Sequence, residues 1–214
     1  MFLERSKYRM PELREGTWIN SSPITLADLK GRVVLIDFWD YTCINCIRTL
    51  PYLVEWNRRY AGLGFVLIGI HAPEFYFSRS IDNVLRAMGR FGINYPVVVD
   101  NEYKIWSAFA NRCWPAKYLV DKDGYIRYVH FGEGSYAETE MAIQLLLKEI
   151  NPGCVLPDLM KPLRDTDVPG ILCYRVTPEL YFGYSRGTVG NPEGVKPGVS
   201  VEYKTPFEIR EDTV

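Results

Sequence analysis

The fold of this chain is decided by the stretch VVLIDFWDYTCINC, which runs from Val33 to Cys46. Its first seven residues are apolar or aromatic apart from one acid, a pattern typical of a strand that is covered on both faces. A Cys-x-x-Cys follows the strand, and a helical pattern then continues to Tyr60. The sequence therefore predicts a buried strand, a short loop and a helix with Cys43 at its N-terminus.

This position predicts redox chemistry at the two cysteines. The unpaired backbone N–H groups and the dipole of a helix N-terminus favour a thiolate, so we expect Cys43 to be the nucleophile. Cys46 lies three residues later, one helical turn deeper, and we expect it to be the resolving thiol. Half of a zinc site is the alternative, but the chain has no second Cys-x-x-Cys or paired histidines to complete four ligands.

Composition indicates an ordinary globular protein. The 214 residues are 47% hydrophobic and 24% charged with a formal net charge of -1, so charge indicates no affinity for nucleic acid or for a membrane surface. No apolar run approaches the ~20 residues of a membrane span. The first residues lack the apolar segment of a secretory signal, so we expect neither a signal peptide nor an anchor in this chain, and the compartment stays open.

The order of predicted elements indicates an α/β fold with a central sheet. Residues 1 to about 30 are predicted to form an extended lead-in that covers one end of the sheet. The other predicted elements are strands at Phe65–His71, Pro96–Val99, Lys117–Val120 and Tyr125–Phe131 and helices at about Ser80–Phe91, Glu102–Ala110 and Tyr136–Ile150. On the last helix, Met141 with Leu145 and Ala142 with Leu146 are spaced four apart and are predicted to face the core.

A change in composition predicts two domains. Residues 1–150 carry the alternating strands and helices, whereas residues 151–214 contain eight prolines and seven glycines among 64 residues. We expect the second part to be an extension, either extended strands that pack on the first domain or a partial β module. Cys154 and Cys173 lie in it, and the sequence leaves open whether they are bridged.

Further spacings carry a family resemblance. Asp37-Phe38-Trp39 begins six residues before Cys43, and Pro51 stands five residues after Cys46, as in thioredoxins. The run from Tyr41 to Pro51 resembles the redoxin domain of DipZ-type proteins in the TlpA/ResA-like branch of the redoxin (AhpC-TSA) superfamily. The resemblance implies a thioredoxin-like fold, a mixed sheet flanked by helices. It also implies a thiol–disulfide oxidoreductase whose redox-active disulfide Cys43–Cys46 needs no other cofactor and no metal.

The resemblance also implies roles for single residues. Asp37 would accept the proton of Cys46 through a water, and its burial in an apolar strand predicts a raised pKa. Glu74 lies in the loop where ResA-like proteins carry an active-site glutamate. Trp114-Pro115 matches the cis-proline opposite the dithiol, and we expect these two residues and Trp39 to contact substrate. Asp37 as a structural acid and Glu74 as a solvated loop acid are the alternatives.

Three other residues are interpreted more simply. We expect His71, at a strand end, to be structural rather than a base or a copper ligand. Cys113, two residues before the predicted cis-proline, is expected to be a small buried filler rather than a third redox thiol. His130 receives no role.

The expected partners are a disulfide-containing protein substrate and an electron donor, either a CcdA-like membrane protein or a thioredoxin system. Two rival functions stay open. One is a thiol peroxidase with Cys43 as the peroxidatic cysteine, although the Pro-x-x-x-Thr-x-x spacing of peroxiredoxins is missing. The other is a sugar- or protein-binding module, suggested by Tyr174, Tyr181, Phe182 and Tyr184 in the extension.

Overall fold

The computed structural model describes residues 8–13, 15–168, 193–194, 196–202 and 204. The chain divides into two compact units, Met1–Asp167 and Val168–Val214, and every helix and strand among the described residues belongs to the first. The strands are β1 (Thr17–Ile19), β2 (Val33–Trp39), β3 (Phe65–His71), β4 (Val97–Val99), β5 (Ala116–Val120) and β6 (Ile126–Phe131). The α-helices are α1 (Ile44–Tyr60), α2 (Ile81–Phe91), α3 (Lys104–Ala108) and α4 (Tyr136–Ile150).

The six strands form one mixed sheet in the order β1-β4-β3-β2-β5-β6. β2, β3 and β4 are parallel to one another, and β5 is antiparallel to β2. β6 and β1 pair antiparallel at the two edges of the sheet. The predicted mixed sheet flanked by helices is confirmed, and β2 lies near its centre with a neighbour on each side.

Alternation along β2 separates two cores. Val33, Leu35 and Trp39 pack with α1, α2 and α4 on one face of the sheet. Val34, Ile36 and Phe38 pack with α3 and the lead-in on the other. Asp37 belongs by the same alternation to the α1 face, which is also the face that buries Cys46. The polar side chain of β2 therefore points towards the helix that carries both cysteines.

The extents of β2, β3 and α4 agree with the predicted ranges, whereas α3 is shorter than the predicted 102–110. The Asp100 carboxylate accepts hydrogen bonds from the backbone N–H groups of Lys104 and Trp106, both at 2.8 Å, and so caps the helix at a later residue. At the other end Ala110 has a φ of 49°, a left-handed conformation that does not continue a helix.

One prediction for α4 is wrong. Ala142 and Leu146 are buried as expected, but Met141 and Leu145 are each 49% exposed. The buried stripe of the helix is centred on Ile143, and at 100° per residue Met141 and Leu145 lie about 160° away from it on the helix. A spacing of four residues gives two side chains a common face but does not say which face is buried.

Residues 151–167 belong to the first compact unit and contact its helices α1 and α4. The Tyr52 hydroxyl donates to Asp167 Oδ2 and accepts from the Leu163 backbone N–H, both at 2.7 Å. Gln144 donates to the Pro157 carbonyl at 2.8 Å. Cys173 and the aromatic residues from Tyr174 to Tyr184 lie outside the described residues. In the part of the chain that the structure describes, no helix combines the length and the apolar character needed to cross a bilayer.

Candidate active site

The two cysteines occupy the start of α1. Cys43 is the N-cap residue and is half-buried, and Cys46 in the first turn is 1% exposed. The Cys46 backbone N–H donates to Cys43 Sγ at 3.2 Å, so the sulfur takes the place of an ordinary capping oxygen. The Cys46 thiol also hydrogen-bonds to the Cys43 sulfur. Neither cysteine is in a disulfide, and of the two only Cys43 has solvent access.

The two thiols differ in acidity because their surroundings differ. The hydrogen bond from the Cys46 thiol and the one from the Cys46 N–H lower the pKa of Cys43 against the opposing effect of its burial. Burial raises the pKa of Cys46 well above its ordinary value, and the neighbouring Cys43 and Asp37 raise it further. Cys43 is therefore the more acidic of the two thiols, and Cys46 holds its proton more tightly.

Asp37 is the candidate base. It is 1% exposed, and neither carboxylate oxygen has a hydrogen-bond partner among the described residues. Burial raises the pKa of Asp37 to about 7, with the positive charge of Lys117 acting in the opposite direction. The predicted increase is confirmed. A carboxylate with this pKa, on the face that buries Cys46, has a proton affinity suited to exchange at neutral pH.

Asp40 has a central position that sequence reasoning did not recognise. It directly follows β2, is completely buried, and accepts hydrogen bonds from the Thr42 N–H at 2.9 Å, the Ser78 hydroxyl at 2.8 Å and the Glu74 N–H. Burial would raise the pKa of Asp40, but the His71 imidazole and the two N–H donors outweigh it and lower the pKa. Asp40 thus ties the loop before the dithiol to the loop after β3.

Glu74 lies in that second loop and is half-buried. Its negative charge and that of Asp40 both raise the pKa of Cys43, and the hydrogen bonds from Cys46 oppose and outweigh this effect. The carboxylate is therefore close enough to Cys43 to affect its ionisation. A catalytic role for Glu74 stays a prediction.

The predicted cis peptide bond between Trp114 and Pro115 is confirmed. Trp114 is half-exposed and its Nε1–H donates to the Ala72 carbonyl at 2.9 Å, which links the cis-proline loop to the end of β3. Pro115 is buried. Trp39 is completely buried with its ring 5.1 Å from that of His71, so it offers no surface to a substrate. Cys113 is half-buried against the α3-side core.

The loop after β3 also exposes three consecutive aromatic residues, Phe75, Tyr76 and Phe77, which we call the aromatic loop. Their exposed fractions are 40%, 88% and 59%. The rings of Phe75 and Phe77 are stacked with centroids 5.5 Å apart, and Tyr41 donates to the Phe77 carbonyl at 3.3 Å. The run is visible in the sequence as a polar-flanked aromatic cluster, but only the structure shows that it is held by Tyr41, two residues before Cys43.

Within the described ranges, no three His, Cys, Asp or Glu side chains cluster as metal ligands would. The site contains instead two thiols, buried acids and a lysine, Lys117, which stands out in the sequence as the one charge in the apolar run of β5. This set of groups supports proton transfer and thiol exchange.

Comparisons with known proteins agree with this chemistry. The redoxin family model matches residues 6–144. Protein DipZ of Mycobacterium bovis is 42% identical over 180 residues, which are 82% of this chain and 26% of DipZ. The thiol-disulfide oxidoreductase ResA of Bacillus anthracis is 29% identical over 136 residues, 64% of this chain and 73% of ResA.

Among solved structures, a thiol:disulfide interchange protein of the thioredoxin family from Chlorobium tepidum superposes with a TM-score of 0.57 at 25% identity and covers 67% of this chain and 97% of that protein. The chain spans only about a quarter of the length of DipZ. Because the family model covers more than half of the sequence and the fold is that of the thioredoxin-like neighbours, the chain belongs to the redoxin family.

Proposed function

We propose that this protein is a thiol–disulfide oxidoreductase that reduces disulfides in proteins through Cys43 and Cys46. The observation that carries the proposal is the asymmetry of the pair, with one accessible thiol of lowered pKa and one buried thiol of raised pKa. A dithiol reductase needs this asymmetry, because the first thiol must attack an external disulfide and the second must wait for the mixed disulfide.

The reaction proceeds in two exchanges. The Cys43 thiolate attacks one sulfur of the substrate disulfide, forms a mixed disulfide and releases the other sulfur as a thiolate. Asp37 then takes the proton of Cys46, and the Cys46 thiolate attacks Cys43 Sγ. This step forms the Cys43–Cys46 disulfide and releases the second substrate thiol, so two electrons pass to the substrate and no other cofactor takes part.

The surface around Cys43 supports a protein substrate. Ile44, next to the nucleophile, is 56% exposed, and the aromatic loop adds the exposed rings of Tyr76 and Phe77. Exposed apolar groups that adjoin a reactive thiol are suited to the residues that flank a disulfide in a polypeptide. Trp114 is proposed to line the same substrate groove, the buried Pro115 to shape that groove through the backbone before it, and Glu74 to adjust the ionisation of Cys43 through its charge.

Reduction of Cys43–Cys46 requires an electron donor. A CcdA-like membrane protein and a thioredoxin system are the two candidates, and both deliver electrons by a further thiol exchange at the accessible Cys43. Nucleic acid has no part in this proposal.

The Cys46→Ser variant tests the proposal against a thiol peroxidase. Without the resolving thiol, Cys43 stays bonded to the substrate, so we expect stable mixed disulfides with protein substrates and a sharp fall in insulin reduction with dithiothreitol. In a peroxidase, Cys43 alone would form a sulfenic acid that external thiol recycles, and the variant would keep peroxide turnover.

We expect the Cys46→Ser variant to consume peroxide no faster than free cysteine does. Cys154→Ser, which changes a half-buried cysteine beyond the end of α4, is the matched control and should behave as the unmodified protein. Rapid peroxide consumption by the Cys46→Ser variant, without trapped disulfides, would contradict the reductase hypothesis and support the peroxidase hypothesis.

A further inference from the structure

We propose that a basic cleft beside the dithiol binds an acidic residue of the polypeptide substrate. The cleft lies between α2 and the loop that precedes Cys43, and its two positive charges are Arg86 and Arg90. This inference rests on the proposed reduction of protein disulfides, because it specifies the sequence around the disulfide that Cys43 attacks.

The cleft has a volume of about 360 Å³ and opens to solvent. One wall is Tyr41, and the other consists of five residues of α2 and its last turn, Asn83, Arg86, Ala87, Arg90 and Phe91. Arg86 and Arg90 are four residues apart, so their side chains share one face of the helix, and both are exposed. Two guanidinium groups therefore line the same space.

Neither guanidinium group is neutralised by a carboxylate. Among the residues that the structure describes, no acidic side chain lies within 4.0 Å of Arg86 or Arg90. Asp82 has the four-residue spacing of a helical ion pair with Arg86, but Arg86 donates instead to Asn83 Oδ1 at 2.6 Å. On α1, by contrast, Glu55 pairs with two arginines of its own helix. The two charges of the cleft are thus available to an external anion.

Hydrogen bonds tie the cleft to the loop before the dithiol. The Phe77 carbonyl accepts from the Tyr41 hydroxyl and from Asn83 Nδ2, both at 3.3 Å. Tyr41 also stacks on the buried His71, which fixes this wall of the cleft. Because Tyr41 is two residues before Cys43, their Cα atoms lie no more than ~7 Å apart. A ligand in the cleft is therefore close to the nucleophile.

The groups around the cleft favour a carboxylate that belongs to a polypeptide. Guanidinium groups bind carboxylates through paired N–H···O hydrogen bonds. The ring of Phe77, whose carbonyl holds Asn83, is 59% exposed, and Leu85 on the same helix as the arginines is 46% exposed. A polypeptide chain can place an acidic side chain in the cleft and apolar side chains on these neighbours at the same time.

The negative charges near Cys43 add selectivity. Glu74 and Asp40 both act on the Cys43 thiol through their charge. A substrate carboxylate next to these two acids is repelled, whereas one in the cleft is attracted by Arg86 and Arg90. The acidic residue of the substrate is therefore directed into the cleft, and the substrate chain crosses Cys43 in one orientation.

The position of the acidic residue follows from these dimensions. An extended chain advances ~3.3 Å per residue, so a side chain three or four residues from the substrate cysteine is about 10–13 Å away from it. This distance reaches past Tyr41 into the cleft. The preferred disulfide is accordingly one with glutamate or aspartate three or four residues from a cysteine.

The test uses the full chain and two synthetic peptide disulfides. Each is a dimer of one peptide joined through a single cysteine, with glutamates in one and glutamines in the other at the third and fourth positions on both sides. Quenched flow measures the release of the first peptide thiol by Cys43. We expect the glutamate peptide to react about five- to tenfold faster at low ionic strength and less than twofold faster in 0.5 M salt.

Substitutions in the cleft should reduce this preference. We expect Arg86→Gln and Arg90→Gln each to lower it about two- to threefold and the double variant to abolish it. Arg32→Gln changes net charge equally at an exposed arginine before β2, at the opposite end of the strand from Cys43, and should keep the full preference. If the double variant does not fold, the single variants and the salt dependence of the unmodified protein decide the question.

Ellman's reagent distinguishes docking of a peptide from attraction of any anion. It is a small disulfide with carboxylates too close to its sulfurs to reach past Tyr41, and Cys43 releases its first thionitrobenzoate and Cys46 the second. In the double variant we expect the first release to slow by no more than about twofold. A loss as large as that for the glutamate peptide would overturn the docking of a peptide.

A binding measurement separates this inference from the proposed function. The glutamate peptide with serine in place of cysteine is titrated into the protein, and the NMR signals of the arginine Nε–H groups are followed. We expect saturable shifts at Arg86 and Arg90 and none at Arg32. Equal rates for the two peptides, without such shifts, would overturn the inference and leave the reductase in place. Absence of exchange with either peptide would instead contradict the proposed function, and the titration would still decide whether the cleft binds an acidic peptide.

Discussion

Asp40 Oδ1 and His71 Nε2 lie 3.6 Å apart, and both side chains are completely buried. The His71 ring is stacked on Tyr41 with centroids 5.6 Å apart, and Asp40 holds the backbone of Thr42 and of Glu74. The loop between β2 and Cys43 is thus fixed by the contact of Asp40, at the end of β2, with His71, at the end of β3, and by the stacking of Tyr41 on His71. The expectation of a structural His71 agrees with this arrangement, and the charge of Asp40 also reaches Cys43.

The Asp40→Asn variant separates the contribution of Asp40 to loop stability from the effect of its charge on Cys43. We expect the unfolding free energy to fall by about 1–3 kcal/mol, because the buried donors of Ser78, Thr42 and Glu74 lose a charged acceptor. We also expect the pKa of Cys43 to fall, because the negative charge that raises it is removed. Urea denaturation and the pH dependence of iodoacetamide alkylation measure the two quantities.

Ser78→Ala is the matched variant for this prediction. It removes one hydrogen bond to the same carboxylate and leaves the charge in place, so it should lower stability by ~1 kcal/mol without a change in the pKa of Cys43. Equal effects of both variants on alkylation would show that loop geometry, rather than charge, controls the thiol.

The alkylation of the cysteines should report their difference in acidity. Cys43 should react with iodoacetamide well below pH 8 while Cys46 stays protected. The Cys46 side chain is the main donor to the Cys43 sulfur. The pKa of Cys43 should therefore be higher in the Cys46→Ala variant than in the Cys46→Ser variant, because the serine hydroxyl still donates a hydrogen bond to that sulfur. If the two variants show the same pH dependence of alkylation, the side-chain hydrogen bond is not what lowers the pKa of Cys43.

Asp37→Asn should slow the resolving step. Because Asn cannot take the proton of Cys46, we expect the second release of thionitrobenzoate to fall about 100-fold, while the first release, by Cys43, stays within about twofold. Stopped-flow absorbance resolves both phases. The exposed Asp82 of α2 provides the control variant Asp82→Asn, which should change neither phase. Unchanged kinetics in Asp37→Asn would assign this acid a structural role.

The same variant should change the pH dependence of stability. The folded protein holds a proton on Asp37 with a pKa of about 7, against 3.8 for an ordinary aspartate, so deprotonation favours the unfolded state. The unfolding free energy of the unmodified protein should therefore lose up to roughly 4 kcal/mol between pH 4 and pH 7 through this group. The stability of Asp37→Asn relative to the unmodified protein should rise across this interval, as measured by urea denaturation at each pH. A difference that does not vary with pH would contradict the raised pKa.

The aromatic loop should matter for protein substrates only. Tyr76→Ser and Phe77→Ser remove exposed rings, and we expect each to raise the KM for insulin about three- to tenfold with little change for Ellman's reagent. Tyr8→Ser changes a tyrosine that is 73% exposed near Tyr125, at the opposite end of the sheet from Cys43, and should affect neither substrate. An equal loss with both substrates would show that the aromatic loop supports the dithiol itself.

Local patterns were sufficient for much of the fold. The predicted strand Val33–Trp39 and the predicted helix Tyr136–Ile150 coincide with β2 and α4, because apolar runs and turn residues encode single elements. The position of Cys43 at a helix N-terminus followed in the same way from a strand, a short loop and a helical pattern in sequence.

Local patterns failed where another part of the chain decides the outcome. The start of α3 depends on capping by Asp100, and the buried side of α4 depends on how the helix sits on the sheet, so Met141 and Leu145 were assigned to the wrong face. Helical spacing determines which side chains share a face, but the packing partner selects the face that is buried.

The sequence by itself determined the dithiol, its place at the start of α1 and the acid in the middle of β2. Tertiary structure alone decided that Lys117 is the partner of Asp37 and that Ser78 and His71 surround Asp40. These contacts join residues between 31 and 80 positions apart, and they depend on the register of strand pairing and on the loops that the pairing brings together. A local pattern does not encode that register, whereas burial of both members of each pair makes the contacts strong enough to control proton affinity.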